Sequence, residues 1–161
     1  MSAFATSYIG TGASAVTRAA DALTYPSAGN ISNITGTVYL EYVINTLSLT
    51  NWSILKLDGT NSFMFAHQTF GIRSSDGTSI INGPTVTITV PMKASVSWSG
   101  ASRSVTSNGL VPSTGAYATP AFTLIDLGAP SAQTGAWSST IRNVNIWSTA
   151  LTADQLKRVT T

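Results

Sequence analysis

Period-two alternation constrains this chain more than any other feature. From Thr37 to Ile44, the side chains of Val38, Leu40, Tyr42 and Ile44 fall on one face and Tyr39, Glu41 and Val43 on the other. From Lys93 to Ser99, Ala94, Val96 and Trp98 alternate with Ser95, Ser97 and Ser99. Thr85 to Val90 repeats the pattern and predicts a strand with Val86, Ile88 and Val90 inward. Successive side chains of an extended strand point to opposite faces, so each segment has one face to bury and one to wet. One buried face marks an antiparallel sheet rather than a parallel one. Further strands are expected at 52–57, 62–66, 69–73, 103–106, 122–127 and 140–147.

Turn chemistry separates these segments. Asp58-Gly59, Asp76-Gly77, Asn82-Gly83-Pro84 and Asn108-Gly109 supply residues that tolerate positive φ. Many short strands at this spacing predict a sandwich or barrel, and sheets with one apolar face each must cover one another. Residues 110–121, rich in Pro, Gly, Ser and Thr, read as the longest loop. One helix is expected, after the final strand. Thr152 and Gln155 have the spacing of a capping box, and Leu151 and Leu156 that of a hydrophobic staple. About two turns of helix do not persist alone, so Leu156 and Val159 are expected to dock on the sandwich.

The length of 161 residues suits one domain, read as spanning 1–161, and 43% hydrophobic content is enough to give it a core. Charged residues are only 9%, against about 25% in ordinary domains. A surface of Ser, Thr, Asn and Gly suits a protein packed into an assembly better than a free enzyme. The net charge is +2 and Lys157-Arg158 is the one adjacent basic pair, so no basic stripe follows a phosphate backbone and no nucleic-acid partner is expected. Cysteine is absent, which removes disulfides and thiolate metal sites. No apolar run is long enough for membrane insertion by a helix, and the first residues do not read as a secretory leader.

Three segments carry a family resemblance. Val16-Thr-Arg-Ala-Ala-Asp21 resembles a lead-in found in bacteriophage tail and virion proteins. Lys93–Gly100 with Arg103–Gly109 resembles the strand pair ending in an Asn-Gly turn of concanavalin A-like lectin/glucanase (laminin-G-like) domains. Ile141–Trp147 followed by Ala150–Leu156 resembles that family's final strand and closing helix. The resemblance implies an all-β jelly-roll sandwich of two antiparallel sheets with a short C-terminal helix. It implies a virion-surface location after assembly in a host cytoplasm, other capsid or tail proteins as partners, and a homo-oligomer, with a trimer the family-level expectation. Two roles follow: a capsid decoration or cement module with added host-glycan binding, or a tail fibre or spike adhesin. Read as a self-standing chain without coiled-coil heptads, the sequence favours the first.

The residues needed for catalysis are missing. Glycoside hydrolysis generally uses two carboxylates flanking the scissile bond. Here Asp21, Glu41, Asp58, Asp76, Asp126 and Asp154 are far apart in sequence. His67, the one histidine, sits in no nucleophile elbow and reads as a surface or turn residue. No catalytic residue, metal ligand or cofactor is assigned, and the protein is expected not to be an enzyme. Laminin-G-like domains often bind calcium through an Asp, a role open to Asp58 or Asp76, although both read first as turn residues. Trp98 is in phase with the core, and Trp147 is expected against the closing helix. Trp137, Tyr117 and Trp52 remain as candidates for stacking on a sugar ring, with edge-of-core packing as their alternative role.

Overall fold

A computed structural model describes residues 23–44, 52–57, 62–67, 71–85, 89–121, 124–127 and 139–161; for 23, 24, 52, 53, 62–67 and 139 the backbone alone is described. The elements are β1 (Leu23–Pro26), β2 (Thr35–Ile44), β3 (Trp52–Leu57), β4 (Ser62–His67), β5 (Gly71–Ser75), β6 (Ile80–Asn82), β7 (Met92–Ser99), β8 (Ser102–Ser107), β9 (Ser113–Ala116), β10 (Leu124–Leu127), β11 (Ser139–Trp147) and α1 (Ala153–Val159). They form a six-stranded sheet in the order β1-β10-β3-β4-β5-β6 and a five-stranded sheet in the order β11-β2-β7-β8-β9. The described pairings are antiparallel. The fold is an antiparallel β-sandwich of jelly-roll type closed by a short helix.

The alternation places the core as the sequence predicts. Val38, Leu40, Tyr42 and Ile44 of β2 and Ala94, Val96 and Trp98 of β7 are buried between the sheets, joined by Ile54, Leu55 and Leu57 of β3 and Ile72 of β5. Each large aliphatic side chain buried there contributes about 1.5–3 kcal/mol relative to exposure. Gly36 of β2 lies opposite Trp98, and a Cβ at that position would sit 2.6 Å from the indole Cζ2. Glycine is therefore the residue that lets the largest core side chain cross its neighbouring strand.

The outer face of the five-stranded sheet is not all wet. Ser95 and Ser97 point away from the core yet are buried, and α1 packs on β7 and β8. Short serines leave room for the helix to approach. The capping box forms: Gln155 N–H donates to Thr152 Oγ1 (3.4 Å) and Thr152 N–H to Gln155 Oε1 (2.9 Å). Leu156 is fully buried, while Val159 is half-buried. Thr37 Oγ1 donates to the Thr149 carbonyl and accepts from Leu151 N–H, tying the lead-in of the helix to β2.

Two expectations are corrected. The strand predicted at 85–90 does not form at its described positions. Thr89 adopts φ 62°, its N–H donates to Ile44 O at 2.7 Å, and Val90 is 46% exposed rather than inward. A β-branched residue in the left-handed region ends an extended run, whatever its alternation. Within this segment, Val86, Thr87 and Ile88 lie outside the described residues. The second correction is the long loop at 110–121, which contains β9, paired with β8 from Ser113↔Val105 to Ala116↔Ser102. β1 and β6 were also not foreseen. Each is three or four residues long, too short for a period to show.

Candidate functional site

Tyr117, expected to offer its ring to a ligand, is instead 4% exposed and part of a buried polar cluster. Its hydroxyl donates to Asn33 O at 3.0 Å, and its ring centroid lies 6.4 Å from that of Trp98 and 5.9 Å from the guanidinium carbon of Arg103. Trp98 Nε1 donates to Ser32 O at 2.9 Å. Trp98 and Arg103 are register partners on β7 and β8, so both reach inward at the same level of the sheet. Because a buried aromatic ring surrounded by these groups has no free face, the stacking role assigned to Tyr117 is withdrawn in favour of a packing one. Of the other two candidates, Trp137 lies outside the described residues. Trp52 opens β3 opposite Ala66, and its side chain is likewise outside the description.

No sequence pattern marks Arg103 as a core residue. Its Nη1 lies 3.3 Å from Asp76 Oδ2, with both side chains at 0% exposure. The Asp76-Gly77 pair reads as a turn in the sequence, and Asp76 holds one together. Its Oδ1 accepts the N–H groups of Thr78 (2.9 Å) and Ser79 (2.6 Å), and Oδ2 accepts Ala118 N–H at 2.9 Å. Arg103 Nη2 in turn donates to Ser79 O and Oγ. Burial alone would raise the Asp76 pKa, but the N–H donors of Ser79, Ala118 and Thr78, followed by the Arg103 charge, bring it below the ordinary carboxylate value. Burial lowers the Arg103 pKa against the opposing pull of Asp76 and Tyr117. With its oxygens already engaged in this way, Asp76 is a structural anchor and not a cation ligand; Asp58 is outside the described residues, as is the 16–21 segment. Among the described residues, no group of three or more His, Asp or Glu side chains converges.

An open site lies elsewhere, at the edge where β1 and β10 face β11. A cleft of about 470 Å³ is lined by Tyr25, Gly29, Asn30, Ile125, Leu127, Val144 and Ile146. Alternation makes the walls: Ile125 and Leu127 are two apart on β10, and Val144 and Ile146 two apart on β11. A bulge at Arg142 shifts the β11 register, so that Val144 and Ile146 share the inward face with Ile141. The floor of the mouth is a turn. Asn30 and Ile31 N–H groups both donate to Ser27 O, and Gly29 adopts φ 80°, a conformation natural to glycine. Asn30 Nδ2 donates to Pro26 O at 3.0 Å, and Tyr25 remains 46% exposed beside it. The sequence signal for this corner, Tyr25-Pro-Ser-Ala-Gly-Asn30, is a Pro and a Gly-Asn pair next to an aromatic residue.

No protein-family model matches the chain, and no curated protein matches its sequence. Solved structures do share its fold. Trypanosoma rangeli sialidase superposes with a TM-score of 0.61 at 13% identity, over 78% of this chain and 22% of the sialidase. The same enzyme in complex with the inhibitor DANA gives 0.60 at 13% identity, with the same coverage. The Ruminococcus gnavus IT-sialidase CBM40 bound to α2,3-sialyllactose gives 0.56 at 14% identity, over 81% of this chain and 84% of that one. The chain thus spans about a fifth of the length of the sialidases and most of the length of the CBM40 module. At these identities the likeness establishes the sandwich fold and leaves function to the site.

Proposed function

We propose that this chain is a non-catalytic carbohydrate-recognition module whose ligand site is the cleft between β1–β10 and β11. The observation that carries this reading is the placement, in one cleft, of a half-exposed tyrosine ring beside an amide. Ligand sites combine apolar and aromatic walls with a few polar groups that fix orientation. A ring face suits the C–H side of a sugar, and an amide can donate to and accept from its hydroxyls. A fold shared with a module solved with α2,3-sialyllactose supports the same reading. Among the described residues, no carboxylate lines the cleft, which favours binding over hydrolysis. The test is retention of the protein on an array of immobilised glycans. Tyr25→Ala is expected to lose retention at least tenfold with an unchanged unfolding midpoint. Failure of the wild-type protein to bind any glycan would overturn the proposal.

A second reading, a virion-surface structural module with capsid or tail proteins as partners, is favoured by the charged fraction of 9% and by the adjacent exposed apolar residues Leu110 and Val111. Quantitative mass spectrometry of purified virions decides it. A copy number near that of the capsid protein fits a decoration role, a few copies fit a tail adhesin, and absence from virions sinks both. Light scattering of the isolated chain tests the trimer.

A further inference from the structure

Resting on the reading of the cleft as a glycan site, we propose that the cleft selects the acetamido group of an uncharged N-acetylhexosamine. The argument starts from the walls. Ile125, Leu127, Val144 and Ile146 present four aliphatic side chains from two strands. Such walls give a hydroxyl no partner, so burying one there would cost the hydrogen bonds it makes to water. A methyl group loses nothing and removes apolar surface from water. A ligand for this cleft therefore needs an apolar substituent, and the acetamido methyl is one that sugars carry.

The polar side of the cleft fits the rest of that substituent. One Asn30 Nδ2 hydrogen is held by Pro26 O, which fixes the amide in place. The second hydrogen and Oδ1 remain, one donor and one acceptor. A secondary amide offers the complementary pair, a C=O and an N–H. At Gly29, a side chain would meet nothing within 4 Å, so the backbone at the mouth faces open space and a ring can approach it. The cleft of about 470 Å³ lies within the range of about 300–1,000 Å³ for small-molecule sites.

Charge sets the third condition. Among the described lining residues none is Asp, Glu, His, Lys or Arg, and the charged residue of β10, Asp126, sits between the two wall residues and so points to the opposite face, in register with Lys56. A ligand carboxylate entering the cleft would lose hydration without a cationic partner. The selected sugar is therefore neutral.

Calorimetry and saturation-transfer NMR of the full chain against three probes test this: triacetylchitotriose, cellotriose (the same linkage without acetamido groups) and 3′-sialyllactose. Triacetylchitotriose is expected to bind at least about tenfold more tightly than cellotriose, with the strongest saturation at the acetamido methyl. Asn30→Asp, which removes the donor and adds charge, is expected to erase that preference. Equal affinity for the two trisaccharides, lost in Tyr25→Ala, would overturn the acetamido proposal and leave the glycan reading standing. Tighter binding of 3′-sialyllactose would overturn the neutrality. Binding of none of the three, together with an empty glycan array, would overturn both readings. The comparison of probes uses the unmodified chain, so a poorly folded variant cannot mask the result.

Discussion

The sealed corner around Asp76 and Arg103 and the open edge between β10 and β11 treat their polar groups in opposite ways. In the corner, a carboxylate, a guanidinium, a phenol and an indole are all buried and engaged inside the chain, with Arg103 Nε left without a hydrogen bond among the described residues. They join the 32–33 segment, the β5–β6 turn and the stretch after β9 to one another. At the edge, the Tyr25 ring and part of the Asn30 amide face outward beside aliphatic walls. A sandwich can thus keep aromatic and polar side chains either as internal fasteners or as contacts for something else. Residue type does not distinguish the two, as Tyr117 and Tyr25 demonstrate; the availability of internal partners does.

The largest expected effect falls on the sealed corner. Asp76→Ala leaves the Arg103 charge buried without its counter-ion, at a cost of about 3–5 kcal/mol in urea unfolding. Loss below about 1 kcal/mol would mean that the pair is not the fastener it resembles. Gly36→Ala comes next, because its Cβ meets the Trp98 ring that borders the same cluster; a loss of about 1–3 kcal/mol is expected from overpacking. The corner also predicts a pH dependence. The Asp76 pKa is lower folded than unfolded, so its stabilisation is present above the unfolded value of about 3.9 and is lost as pH falls through the folded one. Urea midpoints taken between pH 6 and pH 2 should fall, and Asp76→Asn should flatten that slope. The fully buried Tyr42 hydroxyl, which makes no hydrogen bond among the described residues, supplies a control. Tyr42→Phe removes an unsatisfied group and is expected to be neutral or stabilising by up to about 1 kcal/mol. Smallest of all on stability is Tyr25→Ala, within about 0.5 kcal/mol by thermal unfolding, although it should abolish glycan retention. A large loss of stability there would make Tyr25 a second fastener and erase the contrast.

The two regions also differed in how far they could be read beforehand. Core strands β2 and β7 were legible because seven or eight residues of alternation leave no other period. The closing helix was legible from Thr152, Gln155 and the Leu pair. The 85–90 segment misled, since alternation does not report a positive φ at Thr89. Arg103 was invisible as a core residue because its partner, Asp76, lies on a turn far away in sequence, and a sequence period favours apolar residues for the interior. The cleft was missed for a similar reason. Its walls come from β10 and β11 and its mouth from the turn after β1, elements that only the sheet order brings together.

The same sheet order bears on how the chain reaches this state. β1 pairs with β10 and β2 with β11, so Leu40 waits for Val144, about a hundred residues further on. The β7–β8 hairpin is local and can form early, but neither sheet closes until distant strands meet. Such non-local pairing places folding in the millisecond-to-second range rather than the microsecond range of helical bundles. Until β11 arrives, β2 presents an unpaired edge, and that interval is when two nascent copies are most at risk of exchanging strands.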